Sequence, residues 1–274
     1  MYTEKSKIKV FFNDLDDREV NVNIIVLSHN HLQISKNFLE HFTENLPETS
    51  IRLVWVDNGS TDGTVDFLTD NVYKTDKFSS MLVLSPDNLG VIGGRNLGYD
   101  LSFKYADKKP KDFKESDHLM FLDNDQYVCP GWLDQHLSVL NNGYDMVGVE
   151  AWKLNNMFMP CRKNDKLYQD FSYVGCGGML IKREVVDSIG MFDIIFNPAY
   201  FEDPDFNFRA YKAGFKIGWN FKAKIIHMAH QTLGNIKSTE KQAILQNSWN
   251  KFKTKWSQKD IPILKQRDLP EFHQ

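Results

Sequence analysis

Hydrophobic positions fall into short, β-branched runs separated by segments of helical spacing. Residues 22–27 form the first run, which stops at Ser28-His29-Asn30 and predicts a buried strand meeting a polar loop. Leu32, Phe38, Leu39, Phe42 and Leu46 then recur with a helical period. Residues 51–56 predict a second strand ending at Asp57-Asn58-Gly59-Ser60, with a short helix over 64–68. Residues 81–84 predict a third, running into a glycine-rich stretch at 88–98 and a helix that continues to about Tyr105. Residues 118–122 predict a fourth, ending at Asp123-Asn124-Asp125. Later helices are expected over 204–213 and 238–257, the second stopped by Pro262. Segments 104–118 (mostly charged) and 153–172 (polar, with Pro160) read as loops, the second beside the site.

This alternation predicts an α/β fold with a mostly parallel sheet covered by helices. In such sheets the ligand crevice lies outside the carboxyl ends of the strands. Ser28, Asp57, the glycine-rich stretch and the Asp123–Asp125 cluster should therefore converge.

Composition changes this picture little. The formal net charge is -3, which argues against generic nucleic-acid binding. Cys129, Cys161 and Cys176 form no CxxC pair, which excludes a disulfide scaffold and fits a reducing, cytoplasmic setting. The first residues lead into no apolar stretch of the secretory type.

Four segments carry candidate chemistry. Asp123-x-Asp125 at a strand end suits a hard divalent cation with positions left for phosphate oxygens, and equally a plain turn. Asp57 at a strand end can accept from a base or ribose, while Ser60 or Asp62 caps the next helix. The stretch 88–98 reads as a phosphate cradle. It fits neither G-x-x-x-x-G-K-[ST] nor G-x-G-x-x-G, and Arg95 in it suits a phosphate or a surface ion pair. Before the helix at 204–213, Pro204 suits the first helical position and Asp203 the N-cap, where the helix terminus keeps a carboxylate ionised. The same Asp203 suits a general base. His227 and His230 add two imidazoles three residues apart. Gly175-Cys176-Gly177-Gly178 marks a backbone packed close to a neighbour.

Taken in order, these segments resemble the family 2 glycosyltransferases of the GT-A fold, in particular the rhamnosyl- and galactofuranosyltransferase-like branch. Val56-Asp57-Asn58-Gly59-Ser60-Thr61-Asp62-Gly63-Thr64 resembles the family's V-D-N-x-S-x-D-G-T. Asn88-Leu89-Gly90 with Gly94-Arg95-Asn96-Leu97-Gly98 resembles N-x-G…(A/G)-R-N-x-G, and Leu122-Asp123-Asn124-Asp125 resembles L-D-x-D. Gly190-Met191-Phe192-Asp193, then Glu202-Asp203-Pro204-Asp205-Phe206 and Arg209, resembles G-x-F-D…E-D-x-D-(L/F)-x-x-R. Ala213-Gly214-Phe215, His227 and residues 250–256 (Asn-Lys-Phe-Lys-Thr-Lys-Trp) complete a resemblance over about residues 22–258. Asn124 stands where many relatives have a third acid.

The resemblance implies a metal-dependent, inverting transferase that moves a sugar from a nucleoside-diphosphate sugar (UDP first, dTDP next) to an acceptor hydroxyl. Ser28, Asn30, Asp57, Asn88, Gly94, Arg95 and Asp123 would contact the nucleotide. Asp125, His227 and Asp123 would hold Mn²⁺ or Mg²⁺, His227 tilting the choice towards Mn²⁺. Asp203 would be the base, with Glu202 gripping a sugar. It implies an extension at 1–20, one GT-A catalytic domain at 21–235 (nucleotide half 21–125, acceptor half 126–235) and a basic amphipathic helix and tail at 236–274. A catalytically inactive nucleotide- or glycan-binding relative is the alternative. A sugar-nucleotide pyrophosphorylase would need a Gly-rich loop with Arg and Lys after Val26, which is missing.

The acceptor is a glycan, a lipid-linked molecule or another hydroxyl compound, with loops 153–172 and 194–201 expected to meet it. Residues 236–259 hold six lysines and one glutamate, with Trp249, Phe252 and Trp256 on one helical face. Such a stripe packs on the domain, the favoured expectation. It can also lie on an anionic membrane at the inner face, and its lysines leave a nucleic-acid acceptor open.

Overall fold

A computed structural model describes residues 7–15, 20–104, 116–163, 170–228 and 238–265. Its centre is an eight-stranded sheet. We number those strands β1 (Lys9–Asn13), β2 (Val22–Ser28), β3 (Ile51–Asn58), β4 (Ser79–Ser85), β5 (His118–Asp123), β6 (Met146–Gly148), β7 (Met179–Lys182) and β8 (Ile217–Trp219). Their spatial order is β1-β4-β3-β2-β5-β7-β6-β8. The four strands expected from sequence, β4, β3, β2 and β5, lie side by side and parallel. β1 and β7 run antiparallel to their neighbours, and β8 pairs parallel with β6. The segment ahead of residue 21 thus includes an edge strand of this sheet, and Phe11 packs on Tyr73.

The strand runs look uniformly apolar because both faces are covered. Val22, Ile24 and Val26 face one layer, which holds Phe38, Leu39 and Phe42 of helix α1 (Leu32–Glu44) and Trp132, Leu133 and Val139 of the helix at Trp132–Asn141. Ile25, Val54 and Val56 face the other layer. That layer holds α2 (Gly90–Tyr99), α3 (Glu202–Lys212) and α4 (Ser238–Lys255).

The glycines of α2 set how close it lies. A Cβ at Gly94 would stand 2.8 Å from Asn58 Nδ2 and 3.0 Å from Leu27 Cδ2, and one at Gly98 would stand 3.0 Å from Ile25 Cγ2. The expected phosphate cradle is therefore a helix packed on β2 and β3, and Gly94 is buried against Asn58 rather than open to a ligand. Two glycines four residues apart share one helix face, which is why the stretch serves packing.

Among its described residues, the segment expected as a loop at 153–172 contributes to several short strands. Ala151–Leu154 pairs with Pro160–Lys163 and with Tyr173–Val174, and Asp170–Phe171 pairs with Leu264–Lys265. The Asn155 side chain accepts from Met157 N and Met159 N, closing the turn between the first two. Its polar sequence hid a small three-stranded sheet.

The aromatic stripe of α4 turns inward. Phe252 is fully buried among Phe158, Phe196, Phe201 and Phe208. Trp256 packs on Phe208 and donates to Asp205 Oδ1 at 2.9 Å. Lys255 bridges Asp193 and Asp205, and Lys251 donates to Ile195 O. Phe252 and Trp256 are thus spent on the core, as the favoured expectation had it, while Trp249 is half-buried and donates to Met157 O. Among the described residues no helix is long and apolar enough to cross one.

Candidate active site

The carboxyl ends of β2 and β3 are braced together. Asp57 is fully buried; its Oδ2 accepts from Ser28 Oγ at 2.9 Å and Ser60 Oγ at 2.5 Å, and its Oδ1 from Ser60 N at 2.8 Å. Asn30 and His31 adopt left-handed backbone at φ 57 and 60. This turn lets Asn30 N donate to Ser60 Oγ and Asn30 Oδ1 accept from Thr61 N. Asp62 accepts from Leu32 N at 2.9 Å and Thr64 N at 3.2 Å, tying off two helix starts at once. Asn88, further along the edge, is exposed and accepts from Gly90 N.

At the end of β5, Asp123 and Asp125 meet His227. Gln126–Val128 pairs antiparallel with Ile225–His227, so Gln126 faces His227, and Met228 N donates to Asp125 O. This ladder carries an imidazole across about a hundred residues of chain to the acidic turn. His227 Nε2 lies 3.2 Å from Asp125 Oδ1, and the ligand atoms of Asp123, Asp125 and His227 all lie within 4.8 Å of one another. The hydrogen bond with Asp125 raises the His227 pKa, against burial. His230 lies outside the described residues.

The Gly175–Gly178 loop forms the floor beneath Asp123. A Cβ at Gly177 would stand 2.5 Å from Asp123 Oδ2 and 2.9 Å from Gln126 Nε2. Gln126 Oε1 accepts from Asp123 N, and Gly178 N donates to Phe121 O. From below, His136 donates through Nε2 to Gly178 O at 2.9 Å, and Asn220 Nδ2 lies 3.4 Å from its Nδ1. Burial pushes His136 down to about 4, so it stays neutral. Two carboxylates and an imidazole over a floor with no side chain suit a divalent cation of the Mn²⁺ or Mg²⁺ type.

Glu202 and Asp203 open α3. The N-cap is Phe201, in left-handed backbone at φ 67, after Tyr200 at φ 73. Asp203 is thus the second helical residue and Pro204 the third, two steps later than the capping pattern predicts. Pro204 still falls in the first turn, where its missing N–H costs nothing. Glu202 Oε2 and Asp203 Oδ1 are buried and without partners. Burial raises Asp203 to about 8, and the neighbouring Glu202 adds to the rise. Glu202 is raised too, by burial, against the pull of Arg95. The expectation of an ionised Asp203 at neutral pH therefore fails in the bare site: desolvation and a like charge outweigh the helix terminus.

Arg95 joins the two acidic groups. Its Nη2 donates to Asp123 Oδ1 at 2.6 Å, and its Nη1 lies 3.7 Å from Glu202 Oε1. The residue is 5% exposed, so these ion pairs lie inside the protein and not on its surface. Burial opposes its charge, but Cys176, Asp123, Asp203 and Glu202 around it raise its pKa.

Glycosyl transferase family 2 matches the chain over residues 23–221, well over half of its length. The chain belongs to that family. The solved structures with its fold include GalNAc-T7 with UDP, GalNAc and Mn²⁺, at TM-score 0.62 and 12% identity over 77% of this chain and 44% of that one. A mannosyltransferase, PcManGT from Pyrobaculum calidifontis, in complex with GDP-Man and Mn²⁺, follows at TM-score 0.58 and 14% identity, over 78% and 59%. S. aureus TarS 1–349 in complex with UDP-GlcNAc gives 0.56 and 15%, over 88% and 74%. The chain thus spans about half the length of the first two. A comparison with curated proteins found no match. The GT-A fold accounts for how this family member gathers its acidic turn, His227 and the Glu202-Asp203 pair at one place. Sequence reasoning missed Gly177 as the floor of that place and His136 as its support. The run of three glycines around Cys176 was the signal for the first; nothing marked the second.

Proposed function

We propose that this family 2 member is a metal-dependent transferase that moves a sugar, with inversion, from a nucleoside-diphosphate sugar to an acceptor hydroxyl. The observation that carries this reading is the junction of the Asp123-Asp125-His227 group with the buried Glu202-Asp203 pair through Arg95. Three neighbours were solved with nucleotides or nucleotide sugars, which supports a donor of that class. UDP is the first expectation and dTDP the next.

Asp123, Asp125 and His227 would hold Mn²⁺ or Mg²⁺, which supplies positive charge to the leaving diphosphate. Ser28 and Asn30 at the braced ends of β2 and β3 would border the base. Asp57, fully enclosed, acts by fixing Ser28 and Ser60. Asp203, in its ionised form, takes the proton of the acceptor hydroxyl through its partnerless Oδ1 as that oxygen attacks. Glu202 Oε2 accepts from a sugar hydroxyl. Both buried acceptors then gain the donors they lack.

The test is a thermal-shift panel of UDP, dTDP, GDP and CDP, each with and without Mn²⁺. A ligand that binds only the folded state raises Tm by mass action. Mn²⁺-dependent stabilisation by one nucleotide is expected, and Asp125→Ala should abolish it. No shift with any nucleotide in folded protein would overturn the reading.

A further inference from the structure

We propose that Arg95 is the positioning residue that locks Asp123 in place and couples it to Glu202. The inference rests on the transferase reading above and reassigns Arg95 from the nucleotide contact that the family resemblance implies.

Asp123 is held from both sides. Arg95 Nη2 bonds Oδ1 at 2.6 Å, and the bare backbone of Gly177 confines Oδ2. The side chain is still 31% exposed, so it retains surface toward a ligand while its orientation is fixed. Arg95 is confined in turn. Its guanidinium lies 5.7 Å from the Phe121 ring centroid and 6.0 Å from that of Phe192. Its helix cannot drift, because Gly94 and Gly98 seat α2 on β2 and β3 and Asn96 Nδ2 donates to Phe192 O.

The same guanidinium faces Glu202 at 3.7 Å, at the start of a helix more than a hundred residues away in sequence. One planar fork therefore spans the metal-type group and the acceptor-side pair. A lysine is a point charge on a flexible stem and cannot hold two carboxylates in that fixed geometry. A direct phosphate contact would need an N–H turned to solvent, and Arg95 is 5% exposed with its Nη2 engaged.

The experiment titrates Mn²⁺ against wild-type protein, Arg95→Lys and Arg95→Met by the loss of the free-ion EPR signal, with Tm measured on each. Arg95→Lys keeps the buried charge and serves if Arg95→Met does not fold. Nucleotide affinity is measured in parallel, in EDTA and in Mn²⁺. Mn²⁺ affinity should fall about 10- to 100-fold in Arg95→Lys, the range seen when a group that orients a ligand is lost. Nucleotide affinity in EDTA should stay within about twofold of wild type, the resolution of such a comparison. Adding Glu202→Gln should change Mn²⁺ affinity less in the Arg95→Lys background than alone, the signature of coupling through Arg95. Unchanged Mn²⁺ affinity in folded Arg95→Lys would overturn this proposal and leave the transferase reading intact. So would an equal loss of nucleotide affinity in EDTA and in Mn²⁺, which would make Arg95 a nucleotide contact. Wild-type protein that binds no Mn²⁺ would overturn the metal-dependent reading and this proposal together.

Discussion

Gly177→Ala tests the floor of the site with one methyl group. Neither Gly177 nor Gly175 lies in the left-handed region, so alanine fits the backbone at both. Only the space differs. The new Cβ at 177 would stand 2.5 Å from Asp123 Oδ2, and moving out to an ordinary 3.4 Å contact takes about 0.9 Å. Asp123 has little freedom to turn, since Arg95 holds its other oxygen at 2.6 Å. Metal–ligand distances tolerate about 0.2 Å, so that shift is disabling. Mn²⁺ affinity should drop about 10- to 100-fold, or about 1.4–2.8 kcal/mol. At Gly175 the nearest atoms to a new Cβ stand at 3.8 Å, ordinary contact, so Gly175→Ala should bind as wild type does. The assay is the Mn²⁺ titration on both variants, with thermal melts to show each is folded. Undiminished affinity in Gly177→Ala, or an equal loss in Gly175→Ala, would refute the reasoning.

Asp203→Asn should leave Mn²⁺-dependent nucleotide binding intact while transfer collapses, because a base acts only in the transition state; equal loss of binding would mark Asp203 as structural. With Asp203 raised to about 8 in the bare site, the rate at limiting substrate should climb with pH towards that value, and a flat profile from pH 6 to 9 would count against its role. The same shift fixes the sign for stability. The folded protein holds a proton that the unfolded chain releases near 3.8, so this contribution is full below that pH and is lost as pH rises through about 8. Above neutrality, Asp203→Asn should therefore melt higher than wild type without metal or nucleotide, and a lower melt would contradict the burial argument. Phe252→Ala removes a fully buried ring from four phenylalanines and should cost about 3–5 kcal/mol, measurable by urea unfolding. A cost under about 1 kcal/mol would mean that α4 is only loosely docked.

The four parallel strands and the polar ends they present were legible because local pattern suffices for them. Buried parallel strands must be apolar on both faces, and Asp or Asn must appear where they stop. The acidic turn at Asp123–Asp125 and the Glu202-Asp203 pair were equally plain as residue types. What no stretch of sequence contained was distance. His227 reaches Asp125 through a three-residue ladder with Gln126–Val128, too short to show a period. Gly94 and Gly98 read as a ligand loop, because glycine spacing alone does not separate close approach to a phosphate from close approach to a strand. Asp203 read as an ionised cap, because the local pattern contains neither the burial nor the Glu202 charge that raise it. Arg95 read as a surface or phosphate group, because its partners stand 28 and 107 positions away in the numbering and meet it only when the helices dock. The sequence by itself determined the four parallel strands, the family and the inventory of charged groups. The tertiary structure alone decided which of those groups lose their water and face one another, and protonation and ligand geometry depend on both.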